Sequence, residues 1–221
     1  MPQPFMDVRV YVDGFNLYFS MKDKEWRKYY WLDVYALGIK LVQKAKTGKY
    51  LHPNQTVNSV RYFTSRVGGN RKKAGRQNAY LEALQAHNER LQRNLTISYG
   101  AYQLKPFTCE HCGREIQLPV EKKTDVNLAT DLLVDAFFNK FKTAIVVSGD
   151  SDLTGPVRAV KELFPEKSVI VAVPPDRFSK DLTSAAHRFL LIDERLLRQC
   201  QLPEQVYRAD NYPLCRPALW K

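Results

Sequence analysis

No stretch of this chain approaches the roughly 20 consecutive apolar residues that a membrane-spanning helix needs. A helical membrane protein is therefore excluded by composition. The first residues do not form the apolar core of a secretory signal either, because Asp7, Arg9 and Asp13 interrupt it. Cysteine is scarce, with four in 221 residues. In a chain without an export signal these are expected to be reduced thiols or metal ligands, not a disulfide framework. Histidine is equally sparse, and His52, His87, His111 and His187 form no recognisable triad. Internal repeats and low-complexity tracts are also missing. These absences point to a cytoplasmic, globular protein.

What is present supports a packed domain. Apolar residues make up 44% of the 221 positions, enough for one full hydrophobic core and short of what two domains need. The expected organisation is one domain over residues 1–200, carrying a cysteine-containing insert at 109–118, with an extended tail over 201–221 packed on it. Lys and Arg number 34 against 23 acidic residues, a net charge of +11. Such an excess attracts polyanions, of which nucleic acid is the commonest in a cytosol, although solubility alone can account for it.

Residues 8–12 form a β-branched run that stops at Asp13-Gly14, as a strand does. Further strands are expected over 57–64, 95–99, 143–148 and 169–173, with a short edge strand over 189–192. Between them the apolar spacing predicts helices over 33–43, 74–93, 127–140, 155–164 and 194–200. In the 127–140 helix, Leu128, Leu132, Val134, Phe137 and Phe138 are the core candidates. Alternating strands and helices define an α/β fold, three layers around a mostly parallel sheet. The Leu202–Lys221 stretch contains Pro203, Pro213 and Pro217 and has no clear period, so it reads as a tail anchored by Trp220.

Two acidic motifs follow strands directly, Asp13-Gly14-Phe15-Asn16 and Ser148-Gly149-Asp150-Ser151-Asp152. In open parallel sheets, ligands gather at the carboxyl ends of strands, where strand order reverses. A third element, Lys123-Thr124-Asp125, precedes a helix, and Asp125 reads as its N-cap with a free oxygen to present. Asp131 lies more than one turn further on and is expected in a supporting or structural place. Lys123 and Ser148, inside the same motifs, are expected to support the site as well. Converging carboxylates repel each other unless a cation is held between them. Oxygen-only ligands favour Mg²⁺ or Mn²⁺, whose chemistry is water activation, phosphate orientation and stabilisation of a leaving oxygen.

These residues resemble the NYN domain family. The match lies in Asp13-Gly14-Phe15-Asn16-Leu17, Lys123-Thr124-Asp125-Val126 with Leu128, Ala129 and Asp131, and Ser148-Gly149-Asp150-Ser151-Asp152-Leu153, in that order. Within the family the chain is similar to the bacterial LabA-like (DUF88) group, over roughly residues 7–195. The resemblance implies a PIN-like fold with a five-stranded parallel sheet and a Mg²⁺- or Mn²⁺-dependent ribonuclease. It implies metal-binding places for Asp13, Asp125, Asp150 and Asp152, and a water- or phosphate-positioning place for Asn16. RNA is the implied partner, and a homodimer is compatible with the fold.

Substrate contacts are expected in a Gly-rich basic segment that holds Arg66, Arg71, Lys72, Lys73 and Arg76, read as a flexible loop that grips phosphates or as a solvated surface loop. The stretch 21–31 interleaves Lys22, Lys24, Arg27 and Lys28 with Trp26, Tyr29, Tyr30 and Trp31. That pattern suits stacking on a single strand, and equally a core. Cys109 and Cys112 have zinc-knuckle spacing, compatible with a structural Zn²⁺ or a plain turn. Three functional readings follow: an endoribonuclease, a non-catalytic RNA-binding or regulatory module, and a phosphomonoesterase. The last is disfavoured because Asp13-Gly14-Phe15-Asn16 stands where such enzymes pair two aspartates.

Overall fold

The computed structural model describes residues 7–68 and 70–221, with backbone alone for 102–105 and 116–121. Strand β1 (Asp7–Asp13) leads into helix α1 (Gly14–Asp23), and α2 (Val34–Thr47) precedes β2 (Thr56–Thr64). Helix α3 (Arg71–Arg90) leads to β3 (Leu95–Tyr99), and β4 (Ala101–Thr108) and β5 (Glu115–Lys122) form an antiparallel hairpin. Then follow α4 (Thr124–Phe137), β6 (Thr143–Val147), α5 (Thr154–Leu163), β7 (Ser168–Val173), α6 (Lys180–Ala185), β8 (Arg188–Leu191) and α7 (Glu194–Gln199). The last part of the chain forms a small hairpin, β9 (Gln205–Tyr207) with β10 (Pro213–Cys215).

Six strands make one parallel sheet in the order β3-β2-β1-β6-β7-β8. The edge strand expected near 189–192 completes it as β8, so the sheet has six strands where the family resemblance implied five. Both faces are covered, as a parallel sheet requires. Along β1, Val8, Val10 and Val12 turn to one core with α2 and α3, while Tyr11 turns to the other with α4 and α5. Strand β6 divides in the same way, Ile145 and Val147 against Ala144 and Val146.

A polar knot ties α4 to the sheet. The buried Asp135 carboxylate accepts from the Tyr11 hydroxyl at 2.7 Å and pairs with Arg9 at 2.8 Å. Arg61 pairs with Asp131 at 2.6 Å. On the opposite side, Asp33 caps α2 by accepting from the amides of Tyr35 and Ala36, and its other oxygen pairs with Arg93 at 2.9 Å. Replacing Asp33 with Ala should cost about 2 kcal/mol, cap and charged hydrogen bond together. Asp33→Asn keeps the cap and should lose less. Urea midpoints of the two variants would separate these contributions, and equal losses would contradict the split.

Several sequence expectations need correction. Phe137 and Phe138 are 72% and 62% exposed and pack edge-to-face on each other, not in the core. Helix α4 sends Leu128, Leu132, Asp135 and Ala136 inward, and each further residue turns by about 100° away from that stripe. Val134 is also 45% exposed. The basic segment is not a loop throughout: Asn70 accepts from the Lys73 amide and starts α3 at Arg71. Gly69, within the same segment, lies outside the described residues. Asp125 is not an N-cap; α4 begins at Thr124, preceded by Lys123 at φ +78°. The cysteine-containing insert is the turn of a longer hairpin that spans β4 and β5.

Candidate metal centre and adjoining cleft

Strands β1 and β6 lie side by side, Val12 opposite Val147, and sheet order reverses between them. Chain leaving β1 goes to β2 and β3 on one side; β6 starts the other side. The crevice above their carboxyl ends is the switch point where α/β sheets bind ligands. Asp13 closes β1 there, and Ser148-Gly149-Asp150 follow β6. Asp125 arrives from a third direction, at the start of α4, beside the end of β2. Thr124 holds this helix start by a 3.2 Å hydroxyl contact with Ser65.

Asp13, Asp125 and Asp150 each offer a carboxylate oxygen, and the three atoms lie within 4.8 Å of one another. Asp13 is buried, while the other two are half-buried. Its two oxygens are already oriented: one accepts from the Asn16 amide at 3.0 Å, the other from the Ser148 hydroxyl at 2.9 Å. Ser148 in turn accepts from the Asp150 amide, and the Asn16 side-chain oxygen accepts from the Gly149 amide at 3.0 Å. Ser148 and Asn16 therefore lock the two strand-end motifs together.

Burial, with the charges of Asp125 and Asp150 adding to it, pushes the Asp13 carboxyl up to about 7 despite its two hydrogen bonds. Burial first, then Asp150 and Asp152, also raise Asp125. A set of crowded carboxylates that resist ionisation fits a hard divalent cation, because the cation removes both penalties at once. The cluster can thus hold a divalent metal, through oxygen ligands.

Asp152 is exposed and outside the group of three; its amide donates to Asp150 at 3.0 Å. Asp131 is taken up by Arg61. Lys123 is exposed just before α4. The basic residues divide: Lys73 and Arg76 line a cleft beside α1, while Arg66 lies over the Tyr99 ring at 4.8 Å and lines a second depression. Arg71 and Lys72 are simply exposed. Cys109 and Cys112 sit at the hairpin turn, where backbone hydrogen bonds from His111 and Cys112 lower the Cys109 thiol. Among the described residues no third His, Cys, Asp or Glu completes a metal set with them.

The cleft beside α1 measures about 450 Å³ and has Gly14, the residue after Asp13, in its wall. Phe15, Tyr18 and Phe19 line it from α1, Tyr62 and Tyr80 from behind, and Trp220 from the tail. The stretch 21–31, expected to suit either stacking or a core, divides: Tyr29 and Trp31 are buried core, while Lys22, Arg27 and Tyr30 line the cleft. The signal that marks this wall is the i, i+3, i+4 spacing of Phe15, Tyr18 and Phe19, which puts them on one helical face.

A parallel α/β domain with clustered carboxylates at its switch point is a frame that can hold a divalent cation where such sheets bind ligands. The chain belongs to the NYN domain family, whose model matches residues 7–193. NYN domains are PIN-like and typically nucleases. The chain is also 25% identical, over 96% of its length and 74% of the other protein's, to the 6-hydroxy-3-succinoylpyridine 3-monooxygenase HspA of Pseudomonas putida. Among solved structures it is similar in fold to a protein of unknown function from Vibrio parahaemolyticus, with a TM-score of 0.51 and 18% identity. That likeness covers 91% of this chain and 100% of the other.

Proposed function

We propose that this protein is a metal-dependent endoribonuclease of the LabA-like (DUF88) branch, acting in the cytoplasm on RNA. The observation that carries this reading is the convergence of Asp13, Asp125 and Asp150 from three separate motifs at one switch point. Mg²⁺ or Mn²⁺ held by these carboxylates would polarise the scissile phosphate and lower the pKa of water. Asn16 and Ser148 fix the carboxylate positions, and Asp152 adds negative charge at the open side. Arg66, Arg71, Lys72, Lys73 and Arg76 would supply phosphate contacts, and Lys123 would support the site. In the reaction the oxygen of water bonds to phosphorus and the P–O3′ bond breaks. The proton passes to the departing 3′-oxygen, which leaves a 5′-phosphate and a 3′-hydroxyl.

Incubation with end-labelled single-stranded RNA should give products bearing 5′-phosphates. EDTA should stop cleavage and Mn²⁺ restore it, while Asp150→Asn should reduce it by about 10³-fold. Cleavage at the wild-type rate by Asp150→Asn would overturn the assignment. Salt-dependent RNA binding with no turnover would favour the non-catalytic RNA-binding module instead.

A second reading is favoured by the aromatic cleft together with the likeness to a pyridine monooxygenase: insertion of oxygen into a small heteroaromatic acid. It predicts oxygen uptake dependent on a hydroxypyridine acid and a two-electron reductant. The ribonuclease reading predicts none.

A further inference from the structure

The cleft beside α1 is aromatic and strongly basic at once. Lys22, Arg27, Lys73 and Arg76 line it, and no acidic residue does among the described ones. None of these four cations is paired with a carboxylate among the described residues, whereas their neighbours Lys24 and Lys28 are engaged by Asp176 and Glu194. Lys22 instead lies over the Phe19 ring, 5.3 Å from its centre. Phe15 and Phe19 are stacked at 6.0 Å with planes 26° apart, and Phe19 is 40% exposed. An uncompensated basic rim around a partly exposed aromatic wall calls for an occupant both anionic and flat.

The position narrows the choice further. Helix α1 starts one residue after Asp13 and runs along the cleft, so Gly14 to Lys22 spans about 12 Å from the carboxylates outward. The volume, about 450 Å³, lies within the range of small-ligand sites. The far wall comes from Leu219 and Trp220, beyond the residues matched by the NYN family model. Trp220 is held there by edge contacts with Tyr30 at 5.6 Å and Tyr80 at 6.3 Å.

We propose that this cleft is a nucleotide subsite. It takes the base of a nucleotide adjoining the scissile bond against the Phe15, Tyr18 and Phe19 faces, and a flanking phosphate against Lys73 and Arg76. The proposal rests on the ribonuclease reading for the identity of its ligand, and it deepens that reading: cleavage is confined to unpaired strands, because a base must leave its stack to enter. The C-terminal tail, through Trp220, becomes part of substrate selection.

The test uses the full chain in EDTA, so that binding is read without turnover. Saturation-transfer NMR with AMP and UMP should show strong transfer to base protons, and ribose 5-phosphate, which keeps only the phosphate contacts, should show much weaker transfer. Phe19→Ala, at a half-exposed position, and Arg76→Ala should each weaken AMP binding at least about fivefold. Equal transfer to ribose 5-phosphate, unchanged binding in both variants, or no nucleotide binding would overturn the proposal. So would a hydroxypyridine carboxylic acid that displaces AMP and binds more tightly. Nucleotide binding without RNA cleavage would sink the ribonuclease reading but leave the subsite. Cleavage without nucleotide binding would do the reverse.

Discussion

Asp13→Asn should eliminate RNA cleavage, by about 10³-fold or more, and at the same time make the metal-free protein more stable at pH 8. Both effects come from one buried carboxyl. Its folded value of about 7 lies well above the usual 3.8. Between those values the folded chain holds a proton that the unfolded chain has released. Stability therefore falls as pH rises from about 4 to about 7, and the full penalty stands above pH 7. The gap corresponds to roughly 4 kcal/mol. Asn removes the charge but accepts less well from the Asn16 amide and the Ser148 hydroxyl, a loss of about 1–2 kcal/mol. The net gain expected in EDTA is thus about 2 kcal/mol, read from urea unfolding at pH 8. Lowering the pH to 5 should remove most of it, because Asp13 is then protonated when folded. A variant that is less stable than wild type at both pH values would contradict this account of Asp13.

The second large effect is expected at Gly149. A methyl group there would lie 1.7 Å from the Arg177 carbonyl oxygen and 2.7 Å from its carbon. Both are backbone atoms, so no side-chain rotation relieves the clash. Gly149→Ala must therefore move either the loop after β7 or the turn after β6. The Gly149 amide is also the donor that Asn16 uses to join the two motifs. A destabilisation of about 3 kcal/mol is expected. Cleavage should drop about 100-fold in the molecules that remain folded, because Asp150 shifts with the turn. Thermal unfolding and cleavage rates check both parts. A near-wild-type melting temperature would mean that the loop yields freely.

How far the sequence foretold this arrangement depends on whether each residue carried a local signal. Asp13 and Asp150 did: a β-branched run followed by Asp-Gly or Gly-Asp marks a strand end, and parallel sheets expose those ends together. Asp125 was visible as an acidic residue before a helix, but not its role in the helix start. Lys123 adopts the left-handed turn conformation that glycine or asparagine normally advertises. The start of α3 was hidden by glycines around Asn70, although Asn70 itself is a good cap. Phe137 and Phe138 misled because hydrophobicity alone cannot say which of three consecutive helical residues faces the sheet. Of the cleft, local pattern marks only the Phe15, Tyr18 and Phe19 face of α1; its other walls come from β2, α3 and the tail and are joined to it only by folding.

Asp13, Asp125 and Asp150 are proposed to form one divalent-cation site. Anomalous diffraction from a crystal soaked in Mn²⁺ tests it most directly. A manganese peak is expected within bonding distance of oxygens from all three aspartates, and it should be lost in Asp150→Asn. Manganese bound elsewhere, with this cluster left empty while the same preparation cleaves RNA, would contradict it.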